Sequence, residues 1–423
     1  MEGATTVDGR GESIWDRFCD TPGKIADGSH GKVACDHYNR FPEDIALMRQ
    51  LGVDAYRFSV AWPRIQADGS GPGNPQGLDF YDRLVDGLLE AGITPYCTLY
   101  HWDLPQKLQD DGGWTSRSIC ERFADYAAVV VEHLGDRVKN WMSFNEPWCI
   151  AHLGHDNGEH APGIRDRSAA LKAAHYINVS HGLAIPRMRE LCGDGRHGIV
   201  LNLTPAYAAS ESQHDQGAAK WFDGFFNRWY LDPIFGRGYP EDMLGHYAAD
   251  GALDSTTPSF IEPGDLELIA PDIDFLGINY YSRAIMRGPD EGNLPREIFE
   301  PENAERTDMG WEVFPEGLTR TLERVHRDYG PKALMVTENG VAYADGPNDT
   351  GVVEDPRRER YLEGHLNACA AAIERGVPLE GYFAWSLLDN FEWAHGYKMR
   401  FGLVWVDYET SLRGSFECFV VDP

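Results

Sequence analysis

Short runs of apolar, β-branched and aromatic residues alternate along the chain with longer amphipathic stretches. That alternation predicts a parallel sheet built from βα units. Seven runs have the length of strands: DAYRFSV (54–60), TPYCTLYHW (94–102), VKNWMSFNE (138–146), HGIVLNLTP (197–205), IDFLGINYY (273–281), ALMVTENG (333–340) and LEGYFAWSLL (379–388). Between them FPEDIALMRQLG, FYDRLVDGLLEAG, SRSICERFADYAAVVVEHLG and RRERYLEGHLNACAAAIERG place apolar residues at i, i+3 and i+4, the spacing of a helix with one buried face. Gly52, Gly92, Gly135 and Gly376 stand where these helices should stop. The stretch 283–315 is polar and lacks either period, so it is expected to run as an excursion over one face.

The units follow one another without a Pro- or Ser-rich linker, which predicts a single catalytic domain over residues 1–423, an α/β barrel of the TIM type, (β/α)8-like. A doubly wound sheet would carry a Gly-rich phosphate loop after its first strand, and no G-x-G-x-x-G stands there. The length of 423 residues exceeds that of most single domains, but α/β barrels reach it.

Charge narrows the partners. Acidic residues outnumber basic ones 67 to 38, a formal charge of -29, which disfavours nucleic acid and anionic lipid. The eight cysteines are scattered with no C-x-x-C pair, so neither a zinc site nor a disulfide framework is expected, and reduced thiols in the cytoplasm are the default. No apolar leader and no long apolar run is found, so the protein is expected to be soluble. His152, His155 and His160 lie close together in HLGHDNGEH, but without thiolates or helical H-E-x-x-H spacing they predict no metal site, and no cofactor is expected.

In a parallel barrel, catalytic groups come from the C-terminal ends of the strands. Here those ends read YRFS, LYHWD, SFNEPW, GINYY, VTENG and WSLLDNFEW. Two end in a glutamate, Glu146 in FNEPW and Glu338 in TENG, where a buried carboxylate is costly unless it has a purpose. Glycoside cleavage requires such a pair: one carboxyl protonates the leaving oxygen while the other attacks or activates water, and their environments must separate the two pKa values.

These motifs, with DGRGESIWD, DHYNRFPEDIALMRQLGVDAYRFSVAWPR, YHWDLPQ and AWSLLDNFEWAHGYKMRFGLVWVDY, resemble glycoside hydrolase family 1, the β-glucosidases and their relatives, from about residue 2 to about 413. The resemblance implies a retaining β-glycosidase, with Glu146 as general acid/base and Glu338 as nucleophile. It implies Arg57 and Tyr281 as supports of the nucleophile. It also implies Asn145, His101, Asn279, Glu392, Trp393 and a stacking Trp385 as sugar-binding groups. An acidic Glu392 near the 4- and 6-hydroxyls would repel a 6-phosphate, so terminal non-reducing residues of small, unphosphorylated β-glycosides are the expected substrates, with glucose favoured and galactose or fucose left open. Trp148 and Trp311 either line the leaving-group side or simply pack.

Family members also resemble one another in a strand ahead of EGA, which brings a sugar-binding Gln, and in a final helix after VDYETSLR; neither pattern is found here. The barrel is therefore expected to be incomplete at one seam, with DAYRFSV and LEGYFAWSLL as its edges. The gap would be closed by the edges themselves, by the tail FECFVV or, as we favour, by a second copy of the chain. Two further functions stay open: a sugar-binding relic with little turnover, and transglycosylation.

Overall fold

The computed structural model describes residues 2–289, 297–348, 352–410 and 413. All seven predicted strands form, as β1 (Ala55–Ser59), β2 (Thr94–Tyr100), β3 (Asn140–Asn145), β4 (Arg196–Asn202), β5 (Phe275–Asn279), β6 (Leu334–Asn339) and β7 (Leu379–Ala384). They pair in chain order as one parallel sheet. The predicted helices follow as His37–Leu51, Pro75–Glu90, Ile119–Leu134 and Pro356–Glu374. Gly52 caps the first in a left-handed conformation (φ +69°) that a side chain would strain, whereas Gly135 caps the third without leaving the helical region.

The sheet curls around a lumen. Tyr96 of β2 and Phe383 of β7 lie on strands that are not neighbours, yet their rings meet edge-on at 4.9 Å. Both pack on a buried cluster of Met142, Val200, Phe275, Ala333 and Met335, so residues from six strands plug the barrel. Gly277 makes that convergence possible, because a Cβ there would stand 2.7 Å from the Thr337 methyl. Helices wrap the outside, where Trp62, Tyr126, Phe123 and Phe144 belong to the principal core.

The sheet has two ends, β1 and β7. Among the described residues these two strands are not hydrogen-bonded to each other, and a cavity of about 700 Å³ lies between them, lined by Tyr56, Arg57, Tyr382 and Trp385 among others. The edges thus do not close directly. The tail FECFVV lies outside the described residues.

The excursion at 283–315 is more ordered than its pattern predicts. Ala284–Arg287 pairs with Ala206–Ala208 and with Glu297–Ile298 in a small second sheet. Such strands of two to four residues are too short to display a period.

Candidate active site

Because all seven strands run the same way, their C-terminal ends share one face, and the predicted residues gather there. Glu338 closes β6, and Asn279 at the end of β5 is its register partner. Glu146 follows β3 directly in a left-handed conformation (φ +51°), and its carbonyl accepts the Cys149 amide at 3.0 Å. The chain thereby turns at once from strand into helix, leaving the Glu146 carboxyl over the lumen.

Both carboxyls are walled off from solvent, 6% exposed for Glu146 and 4% for Glu338. Their surroundings differ. The Arg57 guanidinium donates to Oε1 of Glu338 at 2.7 Å, and the Tyr281 hydroxyl donates to Oε2 at 2.7 Å. Burial, then the charge of Glu338, push the Tyr281 phenol well above its ordinary pKa, so it remains a donor. Among the described residues no cation bonds Glu146: its Oε1 accepts the Asn279 amide at 2.7 Å and its Oε2 the Cys149 thiol at 3.1 Å. Burial first, then the charge of Glu338, raise its pKa well above the usual carboxylate range.

A hydrogen-bonded frame links the two. Asn145 Oδ1 accepts from Arg57 at 2.5 Å and from Asn279 at 3.1 Å, while Asn279 Oδ1 accepts the Thr337 hydroxyl at 2.7 Å. With its oxygen so engaged, the Asn145 amide nitrogen faces His101 Nε2 at 3.2 Å and can only donate to it. Burial, then the Arg57 charge, hold His101 well below its ordinary pKa, so the ring is neutral and its proton sits on Nδ1, available to a ligand. Trp385 and Trp393 stack on that ring at 5.8 and 5.7 Å. Trp385 reaches the site because Gly340 lets it: a Cβ there would lie 1.7 Å from the Trp385 carbonyl oxygen.

Two acids of opposed environment, beside an aromatic wall and neutral donors, form a site for cleaving a polar ring's acetal bond. A family model described as glycosyl hydrolase family 1 matches residues 1–417. The chain belongs to that family. Among curated relatives, beta-glucosidase A of Acetivibrio thermocellus is 47% identical over 98% of this chain and 92% of its own length. A bifunctional beta-D-glucosidase/beta-D-fucosidase of Bifidobacterium breve is 42% identical over 99% of this chain and 93% of its own. Among solved structures, the family 1 b-glucosidase from Thermotoga maritima superposes with TM-score 0.93 at 44% identity, covering 99% of this chain and 92% of that one. Its complex with noeuromycin gives TM-score 0.92 at 44% identity, over 99% of this chain and 92% of that chain. The protein is a glycoside hydrolase.

All ten predicted site residues lie at this face of the family 1 barrel, but one does not behave as its charge predicts. Burial, then the charge of Glu338, push the Glu392 carboxyl up to about 8, so at neutral pH it is largely protonated. It is a donor as well as an acceptor there, and direct charge repulsion of a phosphate is weaker than its residue type predicts. The three loop histidines have separate partners: His152 meets Asp156 at 2.9 Å, His155 bonds the Ile150 carbonyl at 2.9 Å, and His160 packs between Trp15 and Trp102. Trp148 packs its ring at a tilt against His152 and Phe226, and Trp311 against Tyr281.

Sequence reasoning passed over three contributors. Trp102 donates its indole N–H to the Asn145 carbonyl at 2.9 Å, Thr98 accepts from Arg57 at 3.2 Å, and Cys149 touches the Glu146 carboxyl. The three-residue spacing from Glu146 to Cys149 would be a signal only on a continuous helix, and Glu146 stands outside one at φ +51°, so the sequence carried none for this contact.

Proposed function

We propose that this family 1 enzyme is a retaining β-glucosidase, releasing terminal non-reducing β-D-glucosyl residues from small glycosides by double displacement. The observation that carries this reading is the contrast between the two carboxyls, one bonded to a guanidinium and the other held by neutral donors and pushed up in pKa. Glu338 attacks the anomeric carbon as the bond to the aglycone oxygen breaks, and the proton of Glu146 passes to that oxygen. In the second half, water adds its oxygen to the anomeric carbon, gives its proton to Glu146, and displaces Glu338. Two inversions return the β configuration. Asn145 and His101 bind ring hydroxyls, Trp385 stacks on the sugar face, and Glu392 and Trp393 take the outer hydroxyls. The names of the relatives support glucose as the glycone, and one also names fucose.

The test is hydrolysis of an aryl β-glucoside by the wild type and by Glu338→Ala, with the anomer of the first-formed sugar read by NMR. The expected result is a loss on the order of 10⁴-fold or more in the variant and β-glucose as the wild-type product. Equal rates, or α-glucose, would overturn the mechanism, and binding without turnover in the wild type would favour a relic.

We further propose that a second copy of the chain covers β1 and β7. Both strands are only partly buried along most of their length and, among the described residues, have no strand partner on their outer edges, which proteins ordinarily cover. A monodisperse monomer in solution scattering would remove this proposal. Cys19, Cys97, Cys120, Cys149, Cys192 and Cys369 form no disulfide among the described residues, which favours a reducing compartment, and we place the enzyme in the cytoplasm; recovery of the native protein from the culture medium would contradict that.

A further inference from the structure

Cys149 stands one helical turn beyond Glu146, in a wide turn over Cys149–Leu153, and is 8% exposed. Its sulfur lies 3.1 Å from Glu146 Oε2 and receives the Asn202 amide at 3.6 Å. With the sulfur lone pairs engaged by Asn202, the S–H is left to point at Oε2. The other carboxyl oxygen, Oε1, is already occupied by the Asn279 amide at 2.7 Å. An oxygen that accepts an amide N–H is the poorer seat for a proton, so the proton of the acid form belongs on Oε2, beside the thiol.

On the reading of Glu146 as acid/base, we propose that Cys149 is a positioning residue for the catalytic proton: its thiol donates to Oε2 once the proton has left, and Asn202, by engaging the sulfur, leaves the Oε2 proton directed at the bond to be broken. In the first half-reaction the Oε2 proton passes to the leaving oxygen, and the S–H then bonds the new carboxylate. In the second, the carboxylate takes a proton from water and the S–H contact relaxes. The sulfur itself gains and loses no proton. Burial, then the charge of Glu146, hold its pKa well above the ordinary thiol value, which keeps it protonated. A thiol suits this place because it is a weak donor. A stronger one would stabilise the carboxylate and leave a poorer base and a scarcer acid at neutral pH; no donor at all would do the reverse.

The test is the pH profile of kcat/KM, whose basic limb reports loss of the acid form in the free enzyme. The other charged or titratable groups acting on Glu146 or Cys149 are Glu338, Arg57, Tyr281, Glu392 and Glu159, and all stay constant through the series. Cys149→Ala removes the donor and is expected to move the basic limb to higher pH by roughly half a unit to one unit. Cys149→Ser supplies a stronger donor and is expected to move it to lower pH. Cys149→Val, closer in volume, stands in for the alanine variant if that one is not folded by thermal melting. A packing role would move both limbs in one direction or neither, and either result overturns the proposal. Glu146→Gln is measured alongside: a basic limb that survives in it removes the acid/base assignment, and this inference with it.

Discussion

Strands β3, β5 and β6 are buried at every position, whereas β1 and β7 are only partly buried along most of their length. The two carboxyls belong to the first group: Glu146 leaves β3 and Glu338 closes β6, each strand paired on both sides. Two of the groups proposed to meet the sugar or support the nucleophile come from the second, Arg57 from β1 and Trp385 just past β7. Reaction and recognition thus rest on backbone of unequal constraint. What holds the edge residues is polar: Arg57 bonds Thr98 on the neighbouring β2 and, across the lumen, the Thr337 carbonyl, Glu338 and Asn145, while the Trp385 amide bonds the Asn339 carbonyl of the neighbouring β6 at 2.9 Å. An edge strand with a neighbour on one side gains from such bonds the register that an inner strand has from its ladder.

If the paired strands carry the reaction and the edges only assist, the two must differ in kinetic weight. Glu146→Gln is expected to lower kcat/KM by about 10²- to 10⁴-fold on a substrate with a poor leaving group. It is also expected to abolish the basic limb. The sign follows from the raised pKa of Glu146: its acid form persists beyond the usual carboxylate range, activity falls as pH rises through that value, and a glutamine has no proton to lose. Arg57→Lys keeps the charge but loses the fork that reaches Glu338 and Asn145 together, and is expected to cost roughly 10- to 150-fold. A larger loss at Arg57 than at Glu146 would reverse the comparison and make the edge the decisive element.

The same contrast explains what could be read in the chain. Central strands such as β6, which opens LMV, are plain in sequence because burial on both faces favours apolar runs, and Glu146 and Glu338 stood out as charged residues at strand ends. The frame between them was not legible. That Asn279 donates to Glu146 and Asn145 accepts from Arg57 depends on side chains from three strands meeting across a lumen, which no local period encodes. Cys149 was hidden for a different reason. Its contact requires Glu146 to sit at φ +51°, a conformation an ordinary residue avoids and a sequence does not announce. Glu392 was found by position, but its raised pKa depends first on its burial and then on the charge of Glu338, which comes from another strand.

The smallest effect tests the comparison most directly, because it does not involve the chemistry. Ile278 of β5 is fully buried, and Leu379 of β7 packs only partly against the same core. Truncating Ile278 to alanine removes transfer free energy and leaves a cavity that rigid neighbours cannot fill, about 2–5 kcal/mol of stability. Truncating Leu379 to alanine removes a side chain that is only partly buried, about 1 kcal/mol. Urea unfolding of both variants at low protein concentration measures the difference. Equal costs would mean that β7 is as deeply covered in solution as β5. Repeating the Leu379→Ala measurement at higher concentration then locates the cover: a cost that grows with concentration assigns it to a second copy of the chain, since only association makes stability depend on how much protein is present.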